Sequence, residues 1–227
     1  MKQNITNFLT SDKGIFADAA MLVIMPTIIL TGPFVQLNLA ICVVLALLYA
    51  WLQGGIGKNL GFRKPASFGR LLLYSFGLAI AFIIALYPVA PLVEYLTGVP
   101  HDASAFDVLR GNLPNYLIML AMGWIIGGFF EEILFRAFMM KTIMRLLGNG
   151  LPGTIIATVI PAAFFGYLHG YQGLTGQILT GTIGFGLALL YLRNGHNTWQ
   201  NILIHGIIDT ILFTLIFLNL DKVLGLI

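Results

Sequence analysis

Long apolar runs separated by short polar connections dominate this sequence and restrict what it can fold into. Only 9% of its 227 residues are charged and 58% are hydrophobic, whereas about a quarter of the residues of a soluble domain are charged. A helix that crosses a membrane needs about 20 predominantly apolar residues. The sequence therefore predicts an all-α, polytopic transmembrane helical bundle of about seven spans. The predicted spans are Ile15–Leu30, Val35–Leu52, Leu71–Leu96, Tyr116–Met140, Thr154–Leu168, Ile178–Leu192 and Ile202–Leu220.

The spans leave no room for a separate water-soluble domain, so we expect one membrane-embedded domain over residues 1–227. The single cysteine, Cys42, lies inside an apolar run and cannot form an internal disulfide. The net charge is +3. In a membrane protein, the positions of the cations in the connections report the orientation, so this charge does not indicate a nucleic-acid partner. The lipid bilayer is the expected partner.

Lysine and arginine cluster in alternate connections, which predicts an orientation because cytoplasmic connections are enriched in these residues. The connections after the second and fourth spans are basic, whereas the one after the third span carries two acids and one arginine. We therefore expect a cytoplasmic N-terminus and an integral, multi-pass protein of a bacterial or archaeal plasma membrane. The cations assigned to the cytoplasmic side are Lys2, Lys13, Lys58, Arg63, Lys64, Arg70, Lys141 and Arg145.

The fourth predicted span contains three charged residues, Glu131, Glu132 and Arg136. An ionised side chain at the centre of a membrane costs roughly 2.5 to 3.5 kcal/mol on insertion scales, so intramembrane charges usually serve a function. Glu132 and Arg136 are four residues apart, which places them on the same helical face in the favourable order for an ion pair. Glu131 is turned away by the helical repeat. We therefore expect Glu132 to be neutralised by Arg136 and Glu131 to be free for chemistry.

Two later spans each contribute a histidine. His169 ends the fifth span, and His205 precedes Asp209 by four residues on one face of the seventh. A carboxylate and histidines in a wet pocket can deprotonate a water and stabilise an oxyanion, and they are equally suitable ligands for a divalent metal. Counted from Thr154, however, His169 would lie ~22 Å from the inner membrane edge, whereas Glu131 would lie within ~10 Å of it.

Other polar residues and the glycines receive structural interpretations. We expect Asp18 and Glu94 to lie at the membrane interfaces, and His101 and His196 to be ordinary loop histidines. Small residues allow membrane helices to approach closely. The glycines expected to mark close helix packing are Gly123 and Gly127 in the fourth span and Gly181, Gly184 and Gly186 in the sixth.

Three motifs occur in order on separate spans: Glu131-Glu132-x-x-x-Arg136, Phe165-x-x-x-His169 and His205-x-x-x-Asp209. This arrangement resembles the CPBP intramembrane proteases, the CAAX protease and bacteriocin-processing family, which is also called the Abi family. The resemblance covers about residues 116–220, which we interpret as the catalytic core region.

The resemblance implies an intramembrane endopeptidase acting on a peptide or membrane-protein substrate, such as a CAAX-type prenylated or bacteriocin-related peptide, from the cytoplasmic side. It implies that Glu131 and His169 activate water, that His205 and Asp209 hold the oxyanion, and that Glu132 and Arg136 form a supporting pair. The family often has Asn where this chain has Asp209. An ionised Asp cannot donate a hydrogen bond to the oxyanion. Asp209 would therefore be protonated, would orient His205, or would act in a metal-dependent mechanism. A mechanism that uses a metal such as zinc, with Glu131, His169 and His205 as ligands, stays open, and so does a mechanism without a metal.

Two alternatives from other classes stay open at this stage. The first is a non-catalytic membrane immunity or scaffold protein of the same fold, in which Glu131 would be dispensable. The second is a proton-coupled transporter, because proton relays also use buried Glu, His and Asp. The sequence shows neither the inverted repeat nor the paired broken helices expected of many transporters.

Overall fold

The computed structural model describes residues 1–223, and these residues are helical throughout apart from the connections. The structure is 82% helical and contains no strand among the described residues, and seven of its spans are long and apolar enough to cross a membrane. The predicted fold class is therefore confirmed. Residues 224–227 of the predicted domain lie outside the described residues. The seven spans are Gly14–Thr31, Val35–Leu52, Phe68–Thr97, Leu113–Leu147, Leu151–Leu168, Gly170–Arg193 and Thr198–Phe217.

Three of the spans are built from more than one helical segment. The third consists of helices Phe68–Leu86 and Val89–Thr97, separated at Pro88, which has no backbone N–H to continue the first helix. The fourth consists of helix Leu113–Met122, a π-helical segment Gly123–Met140 and helix Lys141–Leu147. The sixth starts with the 3₁₀ turn Gly170–Gln172 and continues as helix Gly173–Arg193. Shorter helices outside the spans are Lys2–Thr10, Ile56–Asn59, Ser104–Leu109 (3₁₀) and Leu220–Val223.

The fourth span continues seven residues beyond the predicted end at Met140, because the protein itself satisfies the cations that follow. Lys141 donates from Nζ to the Asn59 carbonyl at 2.6 Å. Arg145 places Nε 3.1 Å from Oδ2 of Asp18, and Tyr49 donates its hydroxyl to Oδ1 of the same aspartate at 2.7 Å. Asp18 is only 1% exposed. Asp18 is thus buried by the protein near the inner end of the first span, and its position at the membrane interface stays a prediction.

The connections gather at two ends of the bundle. The basic end contains residues 53–67, 148–150 and 194–197, and Thr198 N–H donates there to the Gly61 carbonyl at 3.1 Å. The acidic end contains residues 98–112, 169–172 and 218–221, where Asp102 N–H donates to the Gln172 carbonyl at 3.3 Å.

Glycines allow the close helix contacts that the sequence predicts. A Cβ on Gly123 would lie 2.9 Å from Phe213 of the seventh span, and one on Gly184 would lie 2.9 Å from Phe165 of the fifth. Gly181 faces the backbone of the fifth span, with the Ala162 carbonyl oxygen 3.5 Å from the position of a Cβ. The structure thus confirms close packing of the fourth span on the seventh and of the sixth on the fifth, which brings the polar motifs together.

Candidate active site

A cavity of about 400 Å³ lies among the second to seventh spans. Four of the six predicted site residues line it: Glu131 from the fourth span, His169 after the fifth, and His205 and Asp209 from the seventh. The remaining wall is predominantly apolar and includes Phe82, Ile83, Leu86, Met119, Met122, Ile126, Leu179, Ile183, Ile208, Leu212 and Phe213. The structure therefore places the sequence-predicted polar residues of three spans around one apolar cavity.

Glu132 lies behind the cavity and is completely buried, with an exposure of 0%. Arg136 donates from Nη1 to Oε1 of Glu132 at 2.9 Å and from Nη2 to the Gly184 carbonyl at 3.0 Å. The guanidinium also lies 4.9 Å from the ring centroid of Phe165. The predicted pairing of Glu132 with Arg136 is observed, and the pair connects the fourth span to the fifth and sixth.

His205 is held between the buried Glu132 and the cavity. Its Nδ1 lies 2.8 Å from Oε1 of Glu132. A carboxylate can only accept, so Nδ1 carries a proton and Nε2 points to the opposite side of the ring. On that side, Nε2 is 3.9 Å from Oε2 of Glu131 and 3.9 Å from Oδ2 of Asp209. Nε2 therefore lies between two carboxylates that are both beyond hydrogen-bonding distance from it.

Glu131 and Asp209 keep partial access to the cavity. Their side chains are 12% and 20% exposed, compared with 0% for Glu132. Among the described side chains, none donates a hydrogen bond to the Glu131 carboxylate at the distances found for Glu132. The neighbouring glutamates thus differ as the spacing predicts, with one neutralised in the interior and one facing the cavity.

His169 presents a single free ring nitrogen. Its Nδ1 lies 2.8 Å from the Phe165 carbonyl oxygen, which accepts, so Nδ1 carries the proton and a neutral ring keeps the lone pair on Nε2. The Phe165 ring centroid lies 4.7 Å from that of His169 and 6.3 Å from that of His205. Phe165 therefore packs near both imidazoles.

The extended fourth span reduces the depth mismatch expected for His169. Glu131 lies 16 residues before Leu147 and His169 lies 18 residues after Leu151, which correspond to about 24 and 27 Å at the α-helical rise. The two residues are thus closer in depth than the sequence predicts, although the π-helical residues 131–140 rise less per residue than an α-helix. The predicted mismatch arose because the depth of Glu131 was counted from Tyr116 across a ~30 Å hydrocarbon core, whereas the span extends from Leu113 to Leu147.

A metal site was left open by the sequence. Within residues 1–223, no group of three or more His, Cys, Asp or Glu side chains is placed to hold a metal ion. The arrangement of Glu131, His169 and His205 therefore does not fit a metal as the side chains stand, and we derive no step through one. Their ligation of a metal stays a prediction.

Two polar residues of the site were not predicted from the sequence. Asn201 is completely buried and donates from Nδ2 to Oε2 of Glu132 at 3.1 Å and to the Leu187 carbonyl at 2.9 Å. Its spacing is a usable signal, because Asn201, His205 and Asp209 follow each other at four-residue steps on one helical face. His101, interpreted as an ordinary loop histidine, lines the cavity. Its Nε2 lies 3.4 Å from Oε1 of Gln172.

The fold and the site together define a class: an integral membrane protein of seven helical spans with a paired-glutamate helix and two histidines around an intramembrane cavity. Residues 113–211 match the family model described as Type II CAAX prenyl endopeptidase Rce1-like. The matched segment is just under half of the chain and contains all six predicted site residues. The predicted resemblance to the CPBP family is thereby confirmed, and the match supports a protease. No curated protein and no solved structure matches the chain significantly.

Proposed function

We propose that this protein is an intramembrane endopeptidase that hydrolyses a peptide bond of a membrane-associated substrate. The observation that carries the proposal is the single cavity lined by Glu131, His169, His205 and Asp209 from three spans. The match of residues 113–211 to a CAAX endopeptidase family supports the same reaction. We further propose that residues 116–220 form the catalytic core of one membrane-embedded domain.

The cavity wall suits a substrate with an apolar part. A volume of about 400 Å³ is within the usual range of small-ligand pockets, and the apolar side chains lie next to the charged groups. An apolar anchor or side chain of the substrate would fill this part of the cavity and hold the scissile bond near Glu131. A CAAX-type prenylated peptide and a bacteriocin-related peptide both meet this requirement.

In the proposed reaction, Glu131 accepts a proton from a water that His169 orients through its Nε2 lone pair. The water oxygen then bonds to the carbonyl carbon, and His205, as an imidazolium, donates from Nε2 to the resulting oxyanion. When the C–N bond breaks, Glu131 returns the proton to the leaving amine. The products are a carboxylic acid and an amine.

Glu132, Arg136 and Asn201 would act as positioning residues in this scheme. Glu132 fixes the imidazole through Nδ1, while Arg136 and Asn201 fix the two oxygens of Glu132. Hydrogen bonds of this kind hold a ring in one orientation without an entropic cost during the reaction.

Asp209 would be the second donor to the oxyanion, which requires its carboxyl to be protonated because a carboxylate only accepts. Asn would donate at every pH. We therefore expect the ratio of the cleavage rate of Asp209→Asn to that of the wild type to rise as the pH is raised from 5 to 9. The charged groups nearest this carboxyl, Glu131, Glu132 and His205, remain in the variant. A ratio that does not change with pH would show that Asp209 does not donate.

Cleavage by the purified protein in detergent tests the proposed function. Membrane-anchored and amphipathic peptides, with and without a prenyl group, would be incubated with the protein and analysed by mass spectrometry. We expect new termini at one defined bond for at least one peptide class. A parallel incubation with a chelator tests the predicted metal ligation, because chelator-sensitive cleavage restored by one added metal would require a metal at the site. No cleavage of any class would favour the scaffold alternative.

A substitution at Gly127 tests the site geometry without replacing any polar residue. A Cβ at this position would lie 2.6 Å from Oδ2 of Asp209 and 3.5 Å from Nε2 of His205, so the Asp209 carboxyl must move. Misplacement of a reacting group by about 1 Å costs up to 10²-fold in rate. We expect Gly127→Ala to reduce the cleavage rate at least tenfold. The matched control is Gly77→Ala, which would meet nothing within 4 Å and should cleave like the wild type.

A further inference from the structure

The cavity extends from the buried charges in one direction only. From the level of Glu131 and His205, its lining continues to His101, Phe106 and Gln172 in the connections of the acidic end. Of the described residues that line it, none comes from the connections at the basic end, 53–67, 148–150 and 194–197. The cavity therefore leads from the middle of the bundle to the acidic end.

The connection 53–67 covers the basic end below the site. Leu60 is 2% exposed, and its carbonyl accepts a hydrogen bond from the hydroxyl of Thr198. Phe62 packs with its ring centroid 4.9 Å from Trp199 and 6.3 Å from Phe129, two residues before Glu131. The connection therefore packs against the fourth and seventh spans on the side of the site that faces the basic end.

The two ends differ strongly in positive charge. Of the 12 lysines and arginines, nine lie before the first span, in the basic-end connections or within the two turns of the spans nearest that end. At the acidic end, Arg110 forms two hydrogen bonds of 2.7 Å with Asp221 and one of 2.7 Å with Asp107. These hydrogen bonds raise the pKa of the Arg110 guanidinium. Because cytoplasmic connections are enriched in lysine and arginine, the basic end corresponds to the cytoplasm.

We propose that the active-site cavity opens on the non-cytoplasmic face of the membrane and receives peptide segments from that side. The substrate would then be an exported peptide, or a membrane protein whose cleaved segment lies outside the cytoplasm, rather than a peptide anchored to the cytoplasmic leaflet. The choice of substrate class rests on the proposed function. The face on which the cavity opens does not.

Cysteine labelling in intact bacterial cells tests the face. The only native cysteine, Cys42, is buried, so Cys42→Ala gives a background without thiols. Ser104→Cys would report the acidic end, Ala66→Cys the basic end, and Tyr171→Cys the cavity itself. Ser104 and Ala66 are exposed positions in connections. Tyr171 lines the cavity and is 55% exposed.

With a membrane-impermeant maleimide, we expect labelling of Ser104→Cys and Tyr171→Cys in intact cells, and labelling of Ala66→Cys only after permeabilisation. Labelling of Ala66→Cys in intact cells, alone or together with Ser104→Cys, would overturn the proposal, as would an unlabelled Ser104→Cys. Labelling of Ser104→Cys without Tyr171→Cys in intact cells would show that the cavity is closed to that face, which also overturns it.

Cleavage assays separate this inference from the proposed function. The cysteine variants at positions 66 and 104 would first be assayed in detergent, where the face of the membrane is irrelevant and both should cleave. Intact cells would then be given a water-soluble amphipathic peptide that the enzyme cleaves in detergent. Cleavage outside intact cells that is lost with Glu131→Gln supports access from the non-cytoplasmic face. Activity in detergent without activity on intact cells overturns that access alone, whereas inactivity in detergent contradicts the proposed function.

Discussion

Replacing Glu131 with glutamine is expected to reduce the cleavage rate about 10³-fold, within the range for loss of a general base, while the protein remains folded. Glutamine has the same shape but cannot take a proton from water. The Glu131 carboxylate is 12% exposed and lies 3.9 Å from Nε2 of His205, so the substitution breaks no short hydrogen bond to that ring. The measurement is the rate of peptide cleavage in detergent together with the thermal unfolding of the same samples.

The adjacent residue supplies a matched control for this prediction. Glu132→Gln is the same chemical change one residue further along, but it removes the charge that Arg136 and His205 contact at 2.9 and 2.8 Å. We expect this variant to unfold at a lower temperature than Glu131→Gln. Equal unfolding temperatures with equal activities for the two variants would contradict the division of roles between the two glutamates.

The sequence predicts the polar centre of the site because charges in apolar runs are easily recognised and helical spacing fixes their faces. The four-residue steps from Glu132 to Arg136 and from His205 to Asp209 give the pairings that the structure shows. Four-residue spacing survives a change in helical winding, which is why the π-helical segment Gly123–Met140 does not disturb the first pair. These features depend only on local geometry.

Features that depend on tertiary contacts could not be predicted in the same way. Hydropathy ended the fourth span at Met140 because cations follow, yet Lys141 donates to the Asn59 carbonyl and Arg145 pairs with Asp18. A cation whose partner comes from another helix does not end a span. The same limit explains why the burial of Asp18 was not predicted, since its partners are 31 and 127 residues away along the chain.

The predicted access from the cytoplasmic side agrees with a depth count from Tyr116 that places Glu131 within ~10 Å of the inner edge of a ~30 Å hydrocarbon core. That access stays a prediction, and the proposed access from the acidic end is its alternative. With Leu147 as the end, Glu131 lies in the middle of the span and the cavity leads to the acidic end. Seven further residues of helix thus change the expected depth of Glu131 in the span, whereas the assigned site residues are unchanged.

Replacing Arg136 with methionine is expected to destabilise the protein by about 3 to 5 kcal/mol, the range measured when one partner of a buried ion pair is removed. Arg136 is 2% exposed and Glu132 0%, so no water replaces the lost guanidinium. Glu132 would keep Asn201 and His205 as donors, but its charge would lose the guanidinium, and the Gly184 carbonyl would lose its hydrogen bond from Arg136. The measurement is the free energy of unfolding in detergent.

The double variant Glu132→Gln/Arg136→Met separates the charge effect from the packing effect. If the unpaired carboxylate causes most of the loss, removing its charge should restore part of the stability, and the double variant should be more stable than the sum of the single effects predicts. His205 would still meet an amide oxygen at position 132, so the ring orientation would be retained in part. Additive losses would mean that Arg136 stabilises the bundle through the Gly184 carbonyl and the Phe165 ring, independently of Glu132. In that case the ion pair would contribute little, and the buried acid would be held by Asn201 and His205 alone.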